Sequence, residues 1–307
     1  MKILSLLPLA VVACTVRPST MVSREGFLHV PGGRVWYRVV GGGTGTPLLV
    51  VHGGGVPSTY LKPLAALADD RPVVFYDQLG AGRSDRPTDT TLWRLDRYVD
   101  ELAAVRESLG LREVHLYGHS WGTVVALEYV LRRRSGVRSL TLGGPVLNGV
   151  RYMEGRDSLL RTMPDTIAMT IRRHMRDGTI DAPEFQQAMG VYFRRYYARR
   201  QPWSADLDST VAQQNTGPMK VLGPSVLMPY DRTGRLGELT VPTLFVVGEF
   251  DEAAPVTRAS YGRAPGARLV VIPNTGHLPM QDEPAQYVAV LRQFLQHADS
   301  MIGVAKP

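Results

Sequence analysis

The sequence predicts a mostly parallel, eight-stranded α/β sheet interrupted after its sixth strand by a helical insertion. Short apolar runs bounded by glycine and proline recur along the chain, as strands covered on both faces require. Amphipathic helical patterns lie between them. From about residue 145 to residue 236 the alternation stops, a stretch rich in Met, Arg and Tyr replaces it, and two further strand-like runs then close the chain.

In order, "RVWYRVV" from Arg34, "PLLVVHGGG" from Pro47 and "RPVVFYDQLG" from Arg71 read as strands. "LWRLDRYVDELAAVRESLG", Leu92 to Gly110, carries apolar residues at helical spacing, charge on the opposite face and a terminal glycine suited to a left-handed cap. "EVHLYG" and "VRSLTLGG" are further strands, and "PTLFVVGEFDEAAP" from Pro242 and "ARLVVIPNTGH" from Ala267 are the last two. Between them "TIDAPEFQQAMGVYFRRYYARR" is helical, so the insertion is expected to roof the C-terminal edge of the sheet, where open α/β folds bind ligands. This divides the chain into a leader-like segment 1–20, a core 21–144, a helical cap 145–236 and a second core segment 237–307.

With 307 residues, 44% of them hydrophobic, the chain has enough apolar side chains for a full core. The net charge of +7 is spread along the sequence, with dense runs only at Arg132 to Arg134 and Arg194 to Arg200. No nucleic-acid-binding motif accompanies it, so a solvated basic face, or a basic pocket for acidic substrates, accounts for the charge. At the N-terminus Lys2, the apolar run Ile3 to Val12 and "VVAC" resemble a secretory signal with a lipoprotein cleavage box. That predicts lipidation at Cys14 and a membrane-anchored or exported protein; initiation at Met21 would leave a cytoplasmic one. As the single cysteine, Cys14 forms no intrachain disulfide.

"GHSWG", Gly118 to Gly122, follows one strand and opens a helix. This is the context that makes G-x-S-x-G a nucleophile elbow, with Ser120 raised above the sheet at a sharp, strained turn. A serine hydroxyl needs a base to take its proton and a carboxylate to orient the base. The α/β-hydrolase fold places these after later strands in the order acid, then histidine. Asp251 ends "LFVVGEFD" and His277 ends "LVVIPNTGH". Of the other six histidines, His29, His115, His174 and His297 have no strand-end setting, and His52 and His119 belong to loops. The oxyanion needs two backbone N–H donors, one from Trp121 and one from "HGGG", His52 to Gly55, with Gly54 the first choice and Gly55 the reserve.

These segments, with "VVFYDQLGAGRSDRP", "HLYGHSWGTVVALEYVL", "DRTGRLGELTVPTLFVVGEFDEAAP" and "NTGHLPMQDEP", resemble the proline iminopeptidase family of α/β-hydrolases over nearly everything from Glu25 to His297. The resemblance implies nucleophile Ser120, acid Asp251, base His277, an oxyanion loop at His52 to Gly55, and release of an N-terminal proline from a small-molecule or short-peptide substrate without metal or other cofactor. Two departures concern specificity. "HGGGVPSTYL" lacks the proline of the family's usual "HGGPG". "NTGPMKV", Asn215 to Val221, aligns with the family's "MNGPNEF", so the glutamate that helps hold the substrate's ammonium falls on Lys220. Two cations about 4 Å apart repel by on the order of 4 kcal/mol at an effective dielectric near 20.

Glu252, after the acid, stands at the family's other ammonium-binding position, and with ammonium recognition lost it would become the partner of Lys220. His52 is a further substrate-binding candidate. Trp93, Trp121 and Trp203 are candidates for lining the pocket or packing the core. The chemistry expected is acyl-enzyme hydrolysis of an amide or ester. The alternatives are a carboxylesterase or amidase for a small, possibly anionic substrate, and a non-catalytic ligand-binding member of the fold. Serine at the elbow excludes the aspartate-nucleophile chemistry of haloalkane dehalogenases and epoxide hydrolases.

Overall fold

A computed structural model describes residues 23–132 and 135–303. Cys14, segment 1–20 and Met21 lie outside the described residues. An eight-stranded sheet runs β1-β2-β4-β3-β5-β6-β7-β8 from edge to edge. The strands are β1 (Ser23–Val30), β2 (Gly33–Val40), β3 (Leu48–Val51), β4 (Val73–Tyr76), β5 (Val114–His119), β6 (Val137–Gly143), β7 (Thr243–Gly248) and β8 (Arg268–Ile272). β1 and β2 form an antiparallel hairpin, β2 is antiparallel to β4, and every other neighbouring pair is parallel.

The pattern of burial follows position in the sheet. β3, β4, β5 and β7 are buried at every residue, as their unbroken apolar runs require under two covered faces. β1, at the edge, alternates between exposed and half-buried residues in its second half, and it is the strand the sequence reading left unnamed. Its partner is supplied by the hairpin, so it needs no apolar run of its own.

Helices α1 (Leu95–Ser108) and α2 (Trp121–Leu131) connect the first strands, and α8 (Ala254–Ser260), α9 (Pro279–Asp282) and α10 (Pro284–Gly303) follow the insertion. The insertion itself holds α3 (Gly149–Leu160), α4 (Asp165–Asp177), α5 (Pro183–Tyr192), a π-helical turn at Phe193–Tyr197, α6 (Ala205–Ala212) and α7 (Gly217–Leu222), all between β6 and β7. Three apolar clusters result. Two lie on the faces of the sheet and a third, with Ile171, Met189 and Tyr192, is internal to the insertion. α2 is buried at every residue because it is wedged against the sheet beneath the functional site.

The insertion is latched to the core at its two ends of the cleft. The N–H groups of His277 and Leu278 donate to the carbonyls of Tyr196 and Tyr197, each at 2.7 Å. On the other side Asn215 N–H donates to Gly55 O and its side-chain amide donates to Gly80 O, both at 2.7 Å. Among the described residues no helix is long and apolar enough to cross a membrane.

Candidate active site

Ser120 sits between β5 and α2 with φ 53° and ψ −122°, a backbone conformation that side-chain-bearing residues rarely adopt. The glycines of the motif make that turn possible by close approach. A Cβ at Gly122 would lie 2.2 Å from the carbonyl oxygen of Val51, and one at Gly118 would lie 2.4 Å from that of Gly122. Ser120 N–H donates to Gly143 O at 2.9 Å, which pins the turn to the neighbouring strand.

His277 is buried, and its Nδ1–H donates to Asp251 Oδ1 at 2.9 Å. The same carboxylate oxygen accepts the N–H of Ala253 at 2.9 Å. His277 Nε2 is buried without a hydrogen-bond partner, leaving its lone pair for a proton to be taken. Burial lowers the imidazole's pKa, but the Asp251 charge and hydrogen bond, with Glu252 adding to them, outweigh it and hold the group above the ordinary histidine value. Ser120 and His277 line one cavity of about 170 Å³, together with Gly54, Tyr60, Tyr197 and Trp203.

A hydrogen-bond chain ties the loop, the elbow and the base together. Gly53 N–H donates to Tyr60 Oη at 2.8 Å, and Tyr60 Oη lies 2.8 Å from His119 Nδ1. His119 Nε2 lies 3.0 Å from the backbone oxygen of His277. A carbonyl only accepts, so Nε2 carries the proton, Nδ1 accepts, and the tyrosine hydroxyl donates to it. Burial holds His119 far below the usual histidine pKa, in keeping with a neutral ring. Neither Tyr60 nor His119 was singled out from the sequence; the histidine inside "GHSWG" was the available signal.

Other expected site residues take different places. His52 does not enter the cavity: its Nδ1 donates to Gly53 O and its Nε2 accepts from Gln78 N–H, both at 2.7 Å. Gln78 in turn accepts from Trp121 Nε1 at 3.0 Å, so His52 is a scaffold of the glycine loop rather than a substrate contact. Gly54 lines the cavity, whereas Gly55 is not among its lining residues and its carbonyl accepts the N–H of Asn215 at 2.7 Å. Trp121 heads α2 directly after Ser120, where the backbone N–H has no carbonyl one turn back. Trp203 lines the cavity, while Trp93 and the Trp121 side chain pack in the core.

The profile of the alpha/beta hydrolase fold matches residues 46–284. A proline iminopeptidase of Heyndrickxia coagulans is 42% identical over 282 residues, which cover 88% of this chain and 98% of that protein. The chain belongs to the proline iminopeptidase family of α/β-hydrolases. A second iminopeptidase, from Levilactobacillus brevis, is 32% identical across 91% of this chain and 98% of its own. The crystal structure of a proline iminopeptidase from Mycobacterium smegmatis has a TM-score of 0.80 at 30% identity, covering 91% of this chain and all of that one.

Within this iminopeptidase framework the two specificity positions differ from the sequence-based expectation. Glu252 is not the partner of Lys220. It is buried, and its carboxylate accepts from Arg156 Nε at 2.9 Å and Nη2 at 3.1 Å, and from the hydroxyls of Tyr192 and Tyr197 at 2.9 Å each. Burial raises its pKa, but the Arg156 guanidinium overrides this and brings the group down to about 2. Lys220 stands on α7, does not line the 170 Å³ cavity, and pairs with Asp181 at 2.8 Å. The reason is reach and charge: Arg156 on α3 already satisfies Glu252 in bidentate geometry, and Asp181 is the carboxylate that Lys220 meets at the surface.

Proposed function

We propose that the chain hydrolyses amide or ester bonds through an acyl-enzyme on Ser120, as a proline iminopeptidase releasing an N-terminal proline or as a closely related amino-acid amide hydrolase. The observation that carries this is Ser120 on its strained elbow in one cavity with His277, whose Nε2 is unpartnered and whose Nδ1–H is held by Asp251. His277 Nε2 takes the Ser120 proton as Oγ attacks the carbonyl carbon, and returns it to the leaving amine or alcohol as the scissile bond breaks. Water, deprotonated by the same nitrogen, then releases the acid and restores the serine. The N–H groups of Gly54 and Trp121 hold the oxyanion in both halves.

The test is labelling by a fluorophosphonate probe together with hydrolysis of prolyl β-naphthylamide, on wild type and Ser120→Ala. Labelling and turnover that both vanish in the variant support the reading, and labelling that persists would sink it.

A second reading, a carboxylesterase or amidase, is favoured by one specific observation. The residues lining the 170 Å³ cavity include no carboxylate, and the nearby Glu252 is already neutralised by Arg156. A substrate without a free ammonium is the better match for such walls. Comparing prolyl and N-acetylprolyl anilides of the same leaving group separates the two readings.

A further inference from the structure

A second cavity of about 310 Å³ lies in the cap. It shares Phe193, Tyr197 and Gln214 with the catalytic cavity. Two of its walls touch the catalytic groups. Tyr197 packs on the His277 ring with centroids 4.7 Å apart, and Met219 lies so close to Gly54 that a Cβ there would meet its sulfur at 2.4 Å. The second cavity therefore neighbours the site where an acyl group would be bound, across the shared residues Phe193, Tyr197 and Gln214.

Its chemistry is two-sided. Met175, Ile180, Phe185 and Met189 make an apolar floor, while Arg156 and Lys220 supply two cations and no carboxylate lines it. Arg156 commits Nε and Nη2 to Glu252 and keeps Nη1 in hand. Lys220 and Asp181 form a surface pair, with side chains 46% and 71% exposed. Such a pair is worth less than about 1 kcal/mol and exchanges readily for another carboxylate.

We infer that this cavity is an acyl-side subsite for a carboxylate: Arg156 and Lys220 take the anionic end of an aliphatic or aromatic acyl group whose carbonyl carbon is at Ser120. The inference rests on the serine-hydrolase reading in its second, carboxylesterase or amidase, form and names the acyl class for that same site. An ammonium placed there meets two like charges and no free acid, which disfavours it, whereas a carboxylate replaces Asp181 on Lys220 and gains an Arg156 N–H.

The experiment compares two esters with the same leaving group and six-carbon acyl chain, mono-4-nitrophenyl adipate and 4-nitrophenyl hexanoate, on wild type, Lys220→Ala, Lys220→Glu and Ser120→Ala. The expected result is a ratio of kcat/KM for adipate over hexanoate that falls about tenfold in Lys220→Glu and less in Lys220→Ala, with the loss in KM. Because Lys220 is exposed, these variants fold, and Arg156→Lys, which keeps a cation on Glu252, is the second probe of the same ratio. A ratio that stays within twofold in all three variants overturns the subsite. Absence of Ser120-dependent turnover of either ester overturns the serine-hydrolase reading itself, and the subsite with it.

Discussion

At the scale of single residues the proposed site combines a serine on a strained turn with a histidine whose Nε2 has no hydrogen-bond partner. Ser120→Ala is expected to lower kcat by about 10⁴-fold or more while the protein keeps its fold, checked by turnover and circular dichroism together. The base also sets the pH dependence. His277 must be neutral to accept the serine proton, and Asp251 holds its pKa above 6.5. Activity therefore rises with pH through a midpoint above 6.5, and a kcat/KM profile with its acid limb below that value would contradict the assignment. Tyr60 acts through others: it holds Gly53 N–H and His119 Nδ1 at once. Tyr60→Phe is expected to lower kcat about tenfold to a hundredfold with KM within twofold, because a displaced oxyanion loop harms the transition state and not ground-state binding. A change confined to KM would show that Tyr60 only lines the cavity. Ser120, Asp251 and His277 were legible in the sequence because each follows a strand, β5, β7 and β8, in a fixed order. Tyr60 was not, since it lies on the 3₁₀-helical segment Ser58–Leu67, 59 residues before its partner, and no local pattern joins the two.

At the scale of elements, the cap is held by charge as much as by apolar packing. Glu252 on the core loop, Arg156 on α3, Tyr192 on α5 and Tyr197 on the π-helical turn form one buried hydrogen-bonded group. Arg156→Met removes the countercharge and leaves a buried carboxylate, which is expected to cost about 3 kcal/mol of stability, and Arg156→Met with Glu252→Gln should recover most of it. Urea unfolding of the two variants measures the difference; equal losses in both would mean that packing of the arginine stem, not its charge, is what matters. Helices and strands of the core were readable from periodicity, and the cap's helical character from its composition. Which acid met which base there was not, because ion pairing depends on how separate helices approach one another.

At the scale of the whole molecule, buried neutral histidines make the fold sensitive to acid. His115 donates to Asp299 Oδ1 on α10 and lies against Ser139 Oγ, joining the middle of the sheet to the C-terminal helix. Burial lowers its pKa from 6.5 to about 4, the Asp299 charge opposing only in part. Between those values the unfolded chain binds a proton that the folded chain refuses, so stability is full above pH 6.5 and falls by about 3 kcal/mol as pH drops toward 4. His52 and His119, also lowered by burial, act in the same direction, and His277, raised, acts in the opposite one only above pH 6.5, where its contribution is lost as pH rises. Thermal melts from pH 7 to pH 4 should show a falling Tm with a shallower slope in His115→Gln, and a flat profile would refute the account.

Local rules acting along the chain were enough to dictate the strand order of the chemistry, the elbow, the triad candidates and the place of the helical insertion, since each depends on residues adjacent in sequence or on the period of apolar side chains. Contacts between distant segments decided the rest. Only the folded chain shows that His52 serves the scaffold, that Gly55 faces Asn215, that Arg156 claims Glu252 and that Lys220 turns to Asp181. A side chain's partner is set by geometry and desolvation across elements that sequence spacing does not encode.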